Sequence, residues 1–127
     1  MNWLQLIGGL PFVNVDITYR GTTIKFKNVL IDTGSAGTIF KFDILNENGL
    51  EIDDYDTVES IRGIGGSELV ITKKVDKILI YDLSAENFVI EVGGMDYGFD
   101  INGIIGMDFL LENRAVLHMD NLTIIKK

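Results

Sequence analysis

The sequence predicts an all-β fold: a small closed β-barrel with one short helix near the C-terminus. Three observations carry that expectation. Most of the chain falls into short runs that alternate apolar and polar residues, the period of a half-buried strand. Glycine is abundant, at 14 residues, while proline occurs once, a balance suited to tight turns between strands. Clear helical spacing is confined to Met107 to Asn113, with Asp108 near its start and Asn113 at its end. At 127 residues the chain is expected to form one domain over 1–127, with no linker or low-complexity segment.

The elements follow in order. Phe12 to Tyr19 alternates over most of its length, Arg20-Gly21 supplies a turn, and Thr22 to Val29 returns with the same period, so these form a hairpin. The alternation stops at Val29-Leu30-Ile31, an apolar run expected where a strand is buried on both faces. Gly37 to Phe40 resumes an extended pattern. Phe42 to Asn48 has the mixed character of a short helix, with Gly49 as its stop. Ser60 to Thr72 holds Gly63, Gly65 and Gly66 among apolar residues and reads as a long hairpin with a flexible tip. Val75 to Tyr81 and Phe88 to Val92 are further strands. Gly93-Gly94 then breaks the pattern, and Met95 to Asp100 is expected as loop. Ala115 to Met119 and Leu122 to Ile125 form a last hairpin around Asp120-Asn121.

Composition removes several classes of function. Hydrophobic residues make up 46% of the chain, too many for disorder. The absence of cysteine excludes disulfides, thiol catalysis and cysteine metal sites, and the single His118 excludes a histidine-rich one; no metal or cofactor is expected. Eleven basic against 19 acidic residues give a net charge of −8, which repels phosphate backbones, so nucleic acid is not an expected partner. No apolar run approaches the roughly 20 residues that span a bilayer, and no membrane association is expected. The N-terminal residues lack a basic n-region and a long apolar core, so they do not read as a signal peptide, and a cytoplasmic location is the expectation. The acidic stretch Glu51 to Asp56 does not match the spacing of a calcium loop and reads as a solvated loop.

The segment that carries chemistry is Val29-Leu30-Ile31-Asp32-Thr33-Gly34-Ser35. It sets one carboxylate at the end of a buried strand, where desolvation and neighbours move a pKa. Asp-Thr-Gly is also good turn chemistry, so the triplet alone leaves catalysis and a simple turn both open. Asp-Thr-Gly-Ser resembles the active-site motif of aspartic proteases, and a single copy resembles their retropepsin-like branch. Two further segments resemble that family in the same order. Ile61-Arg62-Gly63-Ile64-Gly65-Gly66 is similar to its glycine-rich flap, and Ile104-Ile105-Gly106 with the following helix is similar to the segment supporting its catalytic loop.

The resemblance implies a homodimeric endopeptidase acting on polypeptides, in which each chain lends one Asp32. Asp32, Thr33 and Gly34 would form the catalytic loop. Thr33 would bond across the two-fold axis, and Gly34 would offer its N–H to the carboxylate. Ser35 would add a hydroxyl donor to that carboxylate, and Gly63, Ile64, Gly65 and Gly66 would cover the substrate. The chain departs from the retroviral pattern in two ways. Ala36 or Gly37 and Met107 stand where an Asp and an Arg pair in many retroviral enzymes. The C-terminal hairpin also replaces short interleaved terminal strands, in the manner of cellular and bacterial relatives. Two rival readings stand beside the protease: a catalytically silent retropepsin fold used for dimerisation or peptide binding, and an unrelated ligand-binding β-barrel in which Asp32 is a turn residue.

Overall fold

A computed structural model describes residues 1–53, 56–63, 66–97 and 100–127, the side chains of 59–63 and 66–68 excepted. In chain order the strands are β1 (Gln5–Ile7), β2 (Leu10–Tyr19), β3 (Thr22–Ile31), β4 (Ile39–Lys41), β5 (Thr57–Gly63), β6 (Gly66–Ile80), β7 (Leu83–Gly93), β8 (Gly103–Ile105), β9 (Ala115–His118) and β10 (Thr123–Lys126). Two short helices, α1 (Phe42–Glu47) and α2 (Met107–Glu112), complete them. Among the described residues no helix is long and apolar enough to cross a membrane.

The strands β2, β3, β8, β4, β7 and β6 lie side by side in that order, and β6 pairs again with β2, closing a six-stranded barrel. The expected closed all-β architecture is therefore present, with α1 as a second helix where the sequence allowed one. Closure leaves β1 and β5 outside the ring as the two ends of the sheet. Inward-facing side chains fill the barrel: Ile17, Phe26, Val29, Phe40, Val75, Ile78, Ile90 and Ile105 are all buried. Phe26 and Phe40 meet at 4.9 Å between ring centroids, tilted by 54°. Each such side chain stabilises the fold by about 1.5–3 kcal/mol relative to exposure. From α2, Phe109 reaches under the barrel and meets Phe88 edge-on at 5.9 Å.

The turns follow the local chemistry. Arg20 and Gly21 both take positive φ, 48° and 82°, which suits a two-residue hairpin turn. Gly49, at φ 85°, stops the backbone just past α1. Val75 to Tyr81 is not a separate strand: β6 runs unbroken from Gly66 to Ile80, so one ladder joins the projecting hairpin to the barrel wall. Beyond the Ile71–Val92 pair, β6 is bonded to β5 alone, so β5 and the start of β6 form a two-stranded arm. At the arm's end Gly63 pairs with Gly66; Ile64 and Gly65 between them lie outside the described residues.

The apolar run before Asp32 has a more specific cause than burial on both faces. Val13 pairs with Val29 and Val15 with Phe26, so β3 carries one extra residue there, a β-bulge with Asn28 at φ 55°. The bulge resets the alternation. Ile24 and Phe26 point inward before it, Val29 and Ile31 after it, and Leu30 is half-buried on the other face. The bulge is tied to the approach to β8: Asn102 N–H donates to Asn28 O at 3.0 Å, Asn102 Nδ2 to Lys27 O at 2.9 Å, and Asn28 Nδ2 to Asp100 Oδ2 at 2.8 Å.

The terminal hairpin β9–β10 forms a second sheet. It is completed by the chain's own N-terminal residues. Leu4 N–H donates to Leu122 O at 2.8 Å, Ile124 N–H donates to Asn2 O at 3.0 Å, and Trp3 bridges to Thr123. Leu4 is buried by this contact while Trp3 remains exposed.

Candidate active site

Asp32 leaves the barrel where β3 ends, and its N–H still donates to Ile105 O at 2.9 Å. The carboxylate is thus fixed to β8 through the backbone, one residue beyond the parallel Leu30–Ile104 and Ile31–Ile105 pairs. Its side chain is half-buried, while Thr33 and Gly34 are exposed. Asp32 Oδ1 accepts the Gly34 N–H at 2.9 Å, which orients the carboxylate on its own turn. Ser35 N–H donates to Asp32 O at 3.2 Å and closes the turn. The Ser35 hydroxyl is directed elsewhere than the sequence suggests: Oγ donates to Gly37 O at 2.8 Å and braces the loop instead of the carboxylate.

Behind the loop lies a layer that the motif alone does not reveal. Met107 N–H donates to Ser35 O at 2.7 Å and Asp108 N–H to Ala36 O at 3.2 Å, so the start of α2 is bonded to the Asp32 loop. Thr38 Oγ1 donates to Asp108 Oδ1 at 2.7 Å and accepts the Gly106 N–H at 3.1 Å. Asp108 Oδ1 also accepts its neighbour's Phe109 N–H at 2.8 Å. Asp108 is therefore a latch between loop and helix. Thr38 went unnoticed in the sequence, since a lone threonine has no local signature.

Gly106 has the close-approach role that its place after Ile104-Ile105 implies. A Cβ there would fall on the Gly37 carbonyl group, 2.6 Å from its carbon and 2.8 Å from Ser35 O. Gly34 is less confined, with a Cβ 3.1 Å from Asp32 Oδ1. Met107, which stands where many retroviral enzymes carry Arg, is half-buried against the main core, and Ala36 and Gly37 bring no charge to meet it.

Beside Asp32 lies a largely buried apolar cluster, of which Leu30 and Ile104 are half-exposed. Leu30 lies two residues before Asp32, so the alternation of a strand puts both side chains on one face. Leu30 pairs with Ile104, and Ile104 with Ile39 on β4. Phe12, Val70, Met95 and Ile101 pack with these three in a cluster separate from the barrel core. A different apolar groove of about 370 Å³ opens beside the arm, lined by Phe42, Ile52, Val58, Leu69 and Ile71 among others, and contains no residue of the Asp32 loop. Of the other candidate residues, Gly63 and Gly66 sit at the end of the arm, and Asp32 to Ser35 sit on the barrel.

Within the acidic stretch before the arm, Asp54 and Tyr55 lie outside the described residues, Glu51 and Ile52 are exposed, and Asp53 and Asp56 depart from a solvated loop. Lys73 on β6 is 5% exposed and meets Asp56, 4% exposed, at 2.8 Å and Asp53 at 3.3 Å. Its ammonium also donates to Glu51 O at 3.0 Å and lies 4.6 Å from the Tyr19 ring centroid. The Tyr19 hydroxyl donates to Asp53 at 2.7 Å. Burial pushes the Lys73 ammonium down, but the hydrogen bond and charge of Asp56, with help from Asp53, leave it above its ordinary value. Burial, then the bond to Asp53, pushes the Tyr19 hydroxyl up. These groups pin the loop that leads into β5, so the arm starts from a fixed base.

The motif, the layer beneath it and the barrel agree with one comparison to known proteins. The model of a family described as aspartyl protease matches residues 14–109, more than half of the chain, from within β2 to within α2. No curated protein matches the chain. With a single Asp-Thr-Gly loop set on a closed barrel, and with that match across it, the chain belongs to the aspartyl protease family, in the retropepsin-like clan.

Proposed function

We propose that this protein is an aspartic endopeptidase whose active site forms between two copies of the chain, each contributing Asp32. The observation that supports this most is the lone carboxylate held ready but unpaired in kind. Asp32 accepts the Gly34 N–H at the mouth of the barrel, while Asp96, Asp100 and Asp108 are not followed by Thr-Gly or Ser-Gly. Two-aspartate hydrolysis needs carboxyls about 3 Å apart, so that one ionises and the other keeps its proton. An isologous dimer supplies that second carboxyl without a second motif.

In the assembled site the ionised Asp32 takes a proton from water, and the water attacks the peptide carbonyl. The protonated Asp32 donates to the carbonyl oxygen and stabilises the developing charge. The two titrations then belong to the pair. Exposed Thr33 is available to bond across the axis, and the half-exposed apolar side chains of Leu30 and Ile104 favour substrates with apolar residues beside the cut bond. The β5–β6 arm acts as the lid over the bound peptide, closing to exclude water.

The test is cleavage of an unfolded polypeptide by the wild type and by Asp32→Asn. The wild type should cut beside apolar residues, most actively at acidic to near-neutral pH. Asp32→Asn should lose at least about a thousandfold, a loss of the order seen when an essential acid or base is removed. Equal rates in the two proteins would remove Asp32 from the mechanism.

A further inference from the structure

We propose that a second copy of this chain docks along β1 and the Gly8-Gly9 turn, and that this edge brings the two Asp32 residues together. The inference rests on the shared-site reading and locates its interface. Residues before Asn14 lie outside the family match, so the argument stands on this chain's own geometry.

The register of the sheet puts this edge level with the carboxylate. Val13 pairs with Val29 and Phe12 with Leu30, antiparallel. The ladder ends at that Phe12–Leu30 pair; carried on in the same register it would set Pro11 level with Ile31 and Leu10 level with Asp32. Ile7 in turn pairs with Leu10. Strands are spaced by about 4.8 Å, so the row Asp32–Leu10–Ile7 spans only about 10 Å. A two-fold axis that holds two carboxyls about 3 Å apart must pass close to this row.

The chemistry of the edge suits a copy of itself. β1 is an end strand of the sheet, with β2 as its sheet neighbour on one side only. Leu6, Ile7 and Leu10 are 50%, 41% and 39% exposed. No charged side chain occurs before Asp16, in a chain whose net charge is −8. Exposed edge strands are protected by shortness or by charge, and this one, three residues long, carries no charge to repel a second copy. Two molecules of charge −8 repel across most surfaces, and least where both are uncharged. The terminal strands offer no equal alternative, because Asn2 to Leu4 already pair with β10 of the same chain.

The experiment compares wild type, the double variant Ile7→Glu/Leu10→Glu, and Ile125→Glu on the terminal sheet. Mass by sedimentation, thermal unfolding and peptide cleavage are measured on each. The expected result is a dimeric wild type and a dimeric Ile125→Glu. The double variant should be a folded monomer, with self-association weakened at least about a hundredfold by the carboxylates it would bury. A folded double variant that stays dimeric overturns the inference and leaves the shared site standing. A dimeric double variant with a raised KM assigns the edge to substrate and likewise overturns it. A wild type that is monomeric yet active overturns the shared-site reading itself. Should the double variant not fold, Leu6→Cys gives a second test in a chain without cysteine. Oxidation should join two chains and keep cleavage constant on dilution. Failure to cross-link, where Ile125→Cys does cross-link, overturns the inference.

Discussion

Thr38→Val probes the latch beneath the Asp32 loop with little change of shape. Thr38 is 1% exposed, so water cannot replace what its hydroxyl does. The substitution removes a donor to the Asp108 carboxylate at 2.7 Å, and a hydrogen bond to a charged group is worth about 1.5–3 kcal/mol. It also strips the Gly106 N–H of its acceptor at 3.1 Å, leaving a buried donor unpaired at a cost of about 1–3 kcal/mol. The valine methyl offsets part of this with about 0.8 kcal/mol of apolar burial. The net expectation is a loss of about 2–5 kcal/mol. At a urea slope of about 1.5 kcal/mol per molar, that lowers the unfolding midpoint by about 1–3 M. Wild type and variant must be compared at one protein concentration, because dimerisation would couple to unfolding. The double-mutant cycle with Asp108→Asn should show a coupling of at least about 1 kcal/mol. A midpoint shift below about 0.3 M, with no coupling, would refute the claim that this latch fixes the Asp32 loop.

Gly106→Ala should abolish cleavage and lower stability by at least about 2 kcal/mol, because its Cβ meets backbone at Gly37 and Ser35; soluble, fully active protein would contradict this packing. Lys73→Met should cost about 3–5 kcal/mol at pH 7 by leaving the Asp56 carboxylate buried without its cation. In the wild type the raised Lys73 value keeps its stabilisation through neutral pH and releases it only above the ordinary lysine range; urea titrations at neutral pH and above that range test the sign, the gap between wild type and variant narrowing only in the second. Cleavage per chain should fall when the protein is diluted below its dimer dissociation constant, and a rate that stays constant would argue for a site complete in one chain.

Much of this architecture is written in local pattern. The Arg20-Gly21 hairpin, the stop at Gly49, the break in strand at residues 94–97 and the final hairpin follow from period and turn chemistry, which need only near neighbours. The bulge at Asn28 does not. Its signal was the broken alternation at Val29 to Ile31, which reads equally well as a strand buried on both faces, and only the partner strand distinguishes them. The same limit applies at the site. Asp32, Thr33 and Gly34 stand together in sequence, while Thr38 and Asp108 are 70 residues apart and meet only because β4 and β8 pair. Lys73 hid the purpose of Asp53 and Asp56 for the same reason: an acidic run looks solvated until its cation arrives from another strand.

The central claim is one site per two chains, and titration calorimetry with a statine-type transition-state analogue measures that ratio. The account predicts one inhibitor bound per two wild-type chains, and no binding to Asp32→Asn. One inhibitor per chain, or undiminished binding to Asp32→Asn, would contradict a site shared between two Asp32 residues.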